Sequence, residues 1–439
     1  MLNKWLFTRI DNSSLVVFRI LFGILITIEA WGAIFTGWIR RTLIDPQETF
    51  NFIGFEFLQP LPGNGMLYYY GVMGLFGVLV AIGYKYRLSI IAYTIMWTAV
   101  YLMQKSSYNN HYYLLMLLCI VMSFLPANKN ISLDAKIDPS IRSISMPRWA
   151  WVAIVLQMWI VYSYAAIAKI YPDWFNASFP ALLMTGKKHY WLVGEFLQQS
   201  WVHYSMAWFG FFFDLLIIPL LLWKRTRLAA FLAAIFFHLF NSFIFHIGIF
   251  PYLALALAIF FFPAKTIHRL FLKSRKSFYQ GNDIIVPSYK KLLVLFFAVW
   301  FIIQIALPVR HHFFQDDVLW TEEGHRLSWR MMLRSKGGSS LFKVVEKGTI
   351  DTIYVNKDAY LSPKQLRAIN TKPDMIWQFA QRLKREYAAE GKDIEVFVDS
   401  YVSVNGRPSR KFIDPKIDLA SEKWHHFKHH HWILPSKID

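Results

Sequence analysis

Long apolar runs constrain this chain more than any other feature. They fall near residues 14–35, 66–83, 88–104, 110–125, 148–168, 204–223, 227–246, 249–263 and 290–307, each bounded by polar, Pro or Gly residues and each a candidate transmembrane helix. With 55 % hydrophobic and only 17 % charged residues, the chain is too apolar for an ordinary soluble domain. The predicted fold class is a polytopic α-helical membrane protein of nine transmembrane helices, residues 1–307, followed by a C-terminal α+β domain, residues 308–439. The first apolar run has no small-residue cleavage site behind it and is read as a retained helix. Its single cysteine, Cys119, excludes an intrachain disulfide.

Basic residues set the orientation. Lys4 and Arg9, then Lys85 and Arg87, then Lys129, Lys136, Arg142 and Arg148, then Lys224, Arg225 and Arg227, then seven between Lys265 and Lys291 make 18 in alternate connections. The other connections hold six: Arg40, Arg41, Lys105, Lys169, Lys187 and Lys188. Positive charge is retained on the cytoplasmic side, so the N-terminus is cytoplasmic and an odd number of spans puts the tail outside. The formal charge of +19 is spread over these loops rather than gathered into a patch, which argues against a nucleic-acid partner.

From residue 308 the apolar runs shorten and acids appear, as in a folded soluble domain. Strands are predicted at 341–348, 351–356 and 393–406, the last ending in an Asn405-Gly406 turn, and a helix at 373–387. The histidine-rich WHHFKHHHW (424–432) lacks a consistent ligand spacing and reads as a surface or interface run rather than a metal site.

Chemistry is concentrated at one level. Trp149 to Ala168 carries no charge, Lys169 follows, and Pro172 with Asp173 ends the helix. Taken alone, such a lysine either snorkels to water or sits in an apolar pocket, where lost hydration penalises the ammonium and favours the amine, a base. Asn109, Asn110 and His111 open the fourth run from the outer side. His238, Asn241, Ser242 and His246 lie in the outer half of the seventh, the first three on one face by i, i+3, i+4 spacing. Singly, each is a packing or helix–helix hydrogen-bonding residue; together with Lys169 they predict a polar pocket. Glu29 and Asp214 are the carboxylates nearby, available to that pocket or to a neighbouring helix. No HExxH, paired CxxC or acidic cluster accompanies the histidines, so metal catalysis fits poorly, and no P-loop, GxGxxG or serine-nucleophile motif occurs. What remains is base chemistry on an apolar substrate arriving from lipid, and a quinol has suitably acidic hydroxyls.

The segments SSYNNHYYLLMLL (106–118), YSYAAIAKIYPDWF (162–175), FHLFNSFIFHIGIFPYLAL (237–255), RLSWRMMLRSK (326–336) and VFVDSYVSVNGRPSRKFIDPKIDL (396–419) together resemble the vitamin K-dependent γ-glutamyl carboxylases and their bacterial relatives. The resemblance implies a multi-pass enzyme of the cytoplasmic membrane, with site and C-terminal domain on the extracytoplasmic side. It would couple oxidation of reduced vitamin K, or menaquinol, by O2 to addition of CO2 to glutamate in a secreted or surface protein or peptide, without a metal. It implies Lys169 as the base that deprotonates the hydroquinone and His111 as the group orienting or protonating oxygenated intermediates. Asn110, His238, Asn241, Met331 and Met332 are then expected to bind the quinone, and Ser328, Trp329 and Lys336 the glutamyl substrate. Two alternatives accompany this reading: a quinol oxidase without carboxylation, and a non-catalytic quinone- or lipid-binding protein. Lys336 stands where animal members carry arginine, and Cys119 stands alone where they carry several cysteines.

Overall fold

The computed structural model describes residues 2–273, 277–349 and 351–436, without the side chains of residues 2 and 3. Arg275 and Lys276 of the last basic cluster lie outside the described residues. Helix forms in all nine apolar stretches: α1 (Ser13–Phe35), α2 (Gly65–Ile82), α3 (Tyr86–Met103), α4 (Asn110–Phe124), α5 (Arg148–Ile167), α6 (Ser200–Leu222), α7 (Arg227–Phe245), α8 (Phe250–Leu257) and α9 (Lys290–Val309).

The expectation of nine equivalent spans is corrected. Among the described residues, six helices are long and apolar enough to cross a membrane: α1, α2, α5, α6, α7 and α9. A perpendicular crossing takes roughly 20 apolar residues; α4 has 15 and α8 has 8. The α3 helix carries Arg87, three tyrosines and two threonines, which lower its hydropathy.

One end of the bundle gathers the starts of α1, α5 and α9. There β1 (Arg9–Asp11) pairs with β2 (Ser145–Pro147), and the Arg9 N–H donates to the Asp283 carbonyl at 2.7 Å. Arg19, fully buried in α1, donates to the carbonyls of Ala127 and Ile131 at 2.9 and 2.6 Å, tying this end to the α4–α5 connection. Helices in lipid gain little from apolar burial against one another and associate through close packing of small residues. Accordingly α1 and α2 meet through glycines: a Cβ on Gly23 would lie 2.4 Å from the Ala81 nitrogen.

The C-terminal domain covers the opposite end of the bundle, the outer end in the orientation predicted from the basic loops. Its four strands, β3 (Lys336–Glu346), β4 (Thr352–Tyr354), β5 (Ile394–Val404) and β6 (Arg410–Ile413), form an antiparallel sheet in the order β4-β3-β5-β6. Alternation puts Phe342, Val344, Val396, Val398 and Val402 on one buried face. Past α10 (Pro363–Ile369), helix α11 (Pro373–Ala389) lays Ile376, Phe379, Ala380 and Leu383 on that face, with Phe379 edge-on to Phe342 at 4.9 Å. Asp374 at the start of α11 clamps the domain to the bundle, accepting from Lys105 of the α3–α4 connection at 2.5 Å and from Arg326 at 2.7 Å.

Lys336 belongs to this domain's interior. Its ammonium lies 3.6 Å from Glu322, donates to the Trp320 carbonyl and sits 4.3 Å from the Phe412 ring centre. Burial lowers its pKa from 10.5 to about 7. Burial alone would raise Glu322, but Arg334 and Lys336 outweigh it and hold the carboxyl below its ordinary 4.5. The signs follow from linkage. Between about pH 7 and 10 the unfolded chain holds a proton on Lys336 that the folded chain has released, so this group makes stability rise with pH; the Glu322 contribution is full above its unfolded value and is lost in acid. Urea unfolding of the outer domain at pH 7, 8 and 9 is expected to show that rise in the wild type, and a flatter dependence in Lys336→Met.

Candidate functional site

Helix α5 stops because Pro172 cannot continue it, and the turn folds the Lys169 side chain back against its own helix end. The Lys169 Nζ donates to the Ala165 carbonyl at 3.1 Å and to Asp214 Oδ2 on α6 at 2.5 Å. It also lies 5.2 Å from the Trp174 ring centre, a cation–π distance. Both side chains are almost wholly buried, at 7 % and 6 % exposure. The lysine is therefore not a snorkelling one. Nor is it a lone amine, as the sequence suggests: a carboxylate offsets its charge, and the pair is neutral overall whichever partner holds the proton.

The pair lines a cavity of about 310 Å³. His238 of α7 lines the same cavity; its Nε2 shares a 2.9 Å hydrogen bond with the Tyr162 hydroxyl of α5, while its buried Nδ1 has no partner among the described residues. His111, in the first turn of α4, presents its ring there and stacks on Phe250 with centroids 4.0 Å apart and planes at 19°. Asn241 joins from α7, and Met331 and Met332 close the outer end. Apart from Ser205, the remaining lining is apolar or aromatic: Phe209 of α6 and Phe236 of α7 line the cavity and are also 40 % and 62 % exposed, so between these helices it faces lipid.

Six of the expected residues thus meet around one cavity: Lys169, His111, His238, Asn241, Met331 and Met332. Four do not line it. Asn110 spends its amide elsewhere, accepting from the Tyr108 hydroxyl at 2.8 Å and donating to the Arg330 carbonyl at 3.1 Å. The Ser328 hydroxyl donates to the Gly324 carbonyl at 2.5 Å, and Trp329 is buried against Tyr113 with ring centres 4.9 Å apart. Lys336 lies in the outer domain as described above. These placements give Asn110, Ser328 and Trp329 a shared task. They pin the segment that carries Met331 and Met332, and within it Leu327, Trp329 and Met332 all have left-handed backbones, with φ of 60°, 56° and 50°. Non-glycine residues hold that conformation at a cost of about 1–3 kcal/mol each and do so where surrounding contacts over-determine it, commonly at functional sites.

Asp214 is the charged cavity residue left unassigned by the sequence. Its signal was a carboxylate within a span, but only the fold shows that its partner lies 45 positions away. Ser242 and His246 turn aside: the Ser242 hydroxyl pairs with Tyr252 at 3.3 Å, and His246 lines a neighbouring cavity. The histidine run wraps the outer domain, His429 and His430 sharing the Glu323 carboxylate at 2.6 and 2.8 Å.

Fold and site define a multi-pass membrane protein in which a buried lysine–aspartate pair lines a largely apolar cavity, with an α+β domain at one end of the bundle. Residues 7–266 match the HTTM domain, and residues 289–439 match the vitamin K-dependent gamma-carboxylase lumenal domain. The chain belongs to the vitamin K-dependent gamma-carboxylase family, and its outer domain is of the lumenal type. No solved structure matches it.

Proposed function

We propose that this protein is a vitamin K-dependent γ-glutamyl carboxylase-like enzyme of the cytoplasmic membrane, with its site on the extracytoplasmic side. The observation that carries this reading is the Lys169–Asp214 pair, buried beside His111 and His238 on an apolar cavity that faces lipid. A flat apolar diphenol fits it: the cavity is large enough for a ring system, its open side suits an isoprenoid chain, and the His238 Nδ1 lacks a partner among the described residues. Bound there, reduced vitamin K or menaquinol would supply the oxidation by O2 that drives CO2 addition to a glutamyl side chain.

Lys169 is the base. When the shared proton rests on Asp214, the amine is neutral and accepts a hydroxyl proton directly; exclusion of water from the cavity keeps that base unquenched. His111, fixed by its stack on Phe250, and His238, fixed by Tyr162, offer ring nitrogens to the oxygen atoms of a bound ring. Met331 and Met332 hold the ring from the outer side. The glutamyl chain of a secreted or surface protein arrives from the same side, past the strained segment.

A second reading, quinol oxidation without carboxylation, draws support from Ser328, Trp329 and Lys336, none of which faces the cavity. Reduced vitamin K, O2, labelled bicarbonate and a glutamate peptide, supplied to the purified protein, separate the two. Epoxide with label in the peptide is the expected result; epoxide alone favours the second reading, and neither product defeats both. His111→Ala is expected to lower turnover by about 10²–10⁴-fold, the contribution of a positioned acid or base, while quinone affinity measured by tritiated ligand stays unchanged.

A further inference from the structure

Three cavities stand in a row at the outer end of the bundle. His111 lines both the first, which holds Lys169, and a second of about 440 Å³; Tyr112 lines both the second and a third of about 20 Å³. The third has no place in the mechanism above, yet it contains Glu29 of α1, a carboxyl within a membrane span. Tyr112 lines the same space as that carboxyl. Tyr101 of α3 lines this space too, and its buried hydroxyl has no hydrogen-bond partner among the described residues. The remaining titratable groups on this wall are the phenols of Tyr70, Tyr108 and Tyr112, and Glu29 is the one charged side chain among the lining residues. A space of this size accommodates one water molecule, which needs two to four polar partners, and Glu29 and Tyr101 offer them. The cavity ends at Ser107, whose hydroxyl accepts from Lys364 of the outer domain at 2.8 Å.

We infer that Glu29 is a proton-holding group that carries protons from the site toward the outer face, by way of His111, Tyr112 and a water molecule at Tyr101. The inference rests on the proposed carboxylation. In that reaction a glutamyl C–H bond breaks, its electron pair forms the bond to CO2, and one proton per turnover must leave a site walled by lipid and aromatic rings. Lys169 and Asp214 only store a proton between them and must be reset each cycle. An intramembrane carboxyl that shares its cavity with phenol hydroxyls and a place for water is the group suited to take it on.

Infrared spectroscopy of the protein in lipid vesicles tests this without added quinone. Wild type is expected to show a carboxylic-acid carbonyl band that shifts in D2O, is lost in Glu29→Gln and is displaced in Tyr112→Phe. In the coupled assay, Glu29→Gln lowers kcat by about 100-fold with unchanged quinone affinity, and Glu29→Asp recovers part of it. An active wild type matched by Glu29→Gln overturns the inference. Absence of product from the wild type defeats the proposed function instead; a band identical in wild type and Glu29→Gln then overturns this inference as well. Should Glu29→Gln fail to fold, Tyr112→Phe with unchanged band and unchanged turnover overturns it in the same way.

Discussion

Lys169→Ala is expected to reduce epoxide formation to background, a fall of about 10²–10⁴-fold, while the protein still binds quinone. Among the described residues lining the cavity, the amine is the only basic nitrogen that is not part of an imidazole, and its position is fixed by the Ala165 carbonyl and Asp214. The Asp214 left behind must take a proton, so some stability is lost with the activity. The two effects are separated by Lys169→Met combined with Asp214→Leu, which removes both charges; stability is expected to return and turnover to remain absent. A Lys169→Ala protein with wild-type turnover would remove the lysine from the mechanism.

Asp214→Ala is expected to destabilise the protein by about 3–5 kcal/mol, the usual cost of leaving half of a buried ion pair. Thermal unfolding in detergent, followed by tryptophan fluorescence, reads this directly. Turnover is expected to fall by about 100-fold as well, because the amine loses the partner that aims it and a misplacement of one ångström has that effect on a positioned group. Unchanged stability would mean that Lys169 reaches water when its partner is gone, and the cavity would then not be the dry chamber described here.

Much of this architecture is legible in the sequence, because lipid imposes simple rules. Apolar runs and alternating Lys and Arg loops mark helices in the right places with one end basic, and the Val396, Val398 and Val402 alternation marks strand β5 with its buried face. Depth is legible too: residues placed at one level by counting from helix ends, His111, Lys169, His238 and Asn241, do line one cavity. Direction is not. Whether Asn110 points at a ligand or at Arg330, and whether Lys336 faces a substrate or Phe412, depends on packing between segments more than 50 positions apart, which no local pattern records. Short elements are equally silent. The β1–β2 pair has three residues per strand, and α4, at 15 residues, fills its apolar run yet falls five short of the usual count of about 20 for a perpendicular crossing.

The central claim is that a quinone ring lies against the Lys169–Asp214 pair. An experimental structure of the purified protein with a bound menaquinone analogue measures this most directly. The expected result is a ring among His111, His238 and Met331, one oxygen within hydrogen-bonding distance of the Lys169 amine, and the side chain leaving between α6 and α7. A ring bound outside this cavity, or inside it with both oxygens turned from Lys169, would contradict the claim.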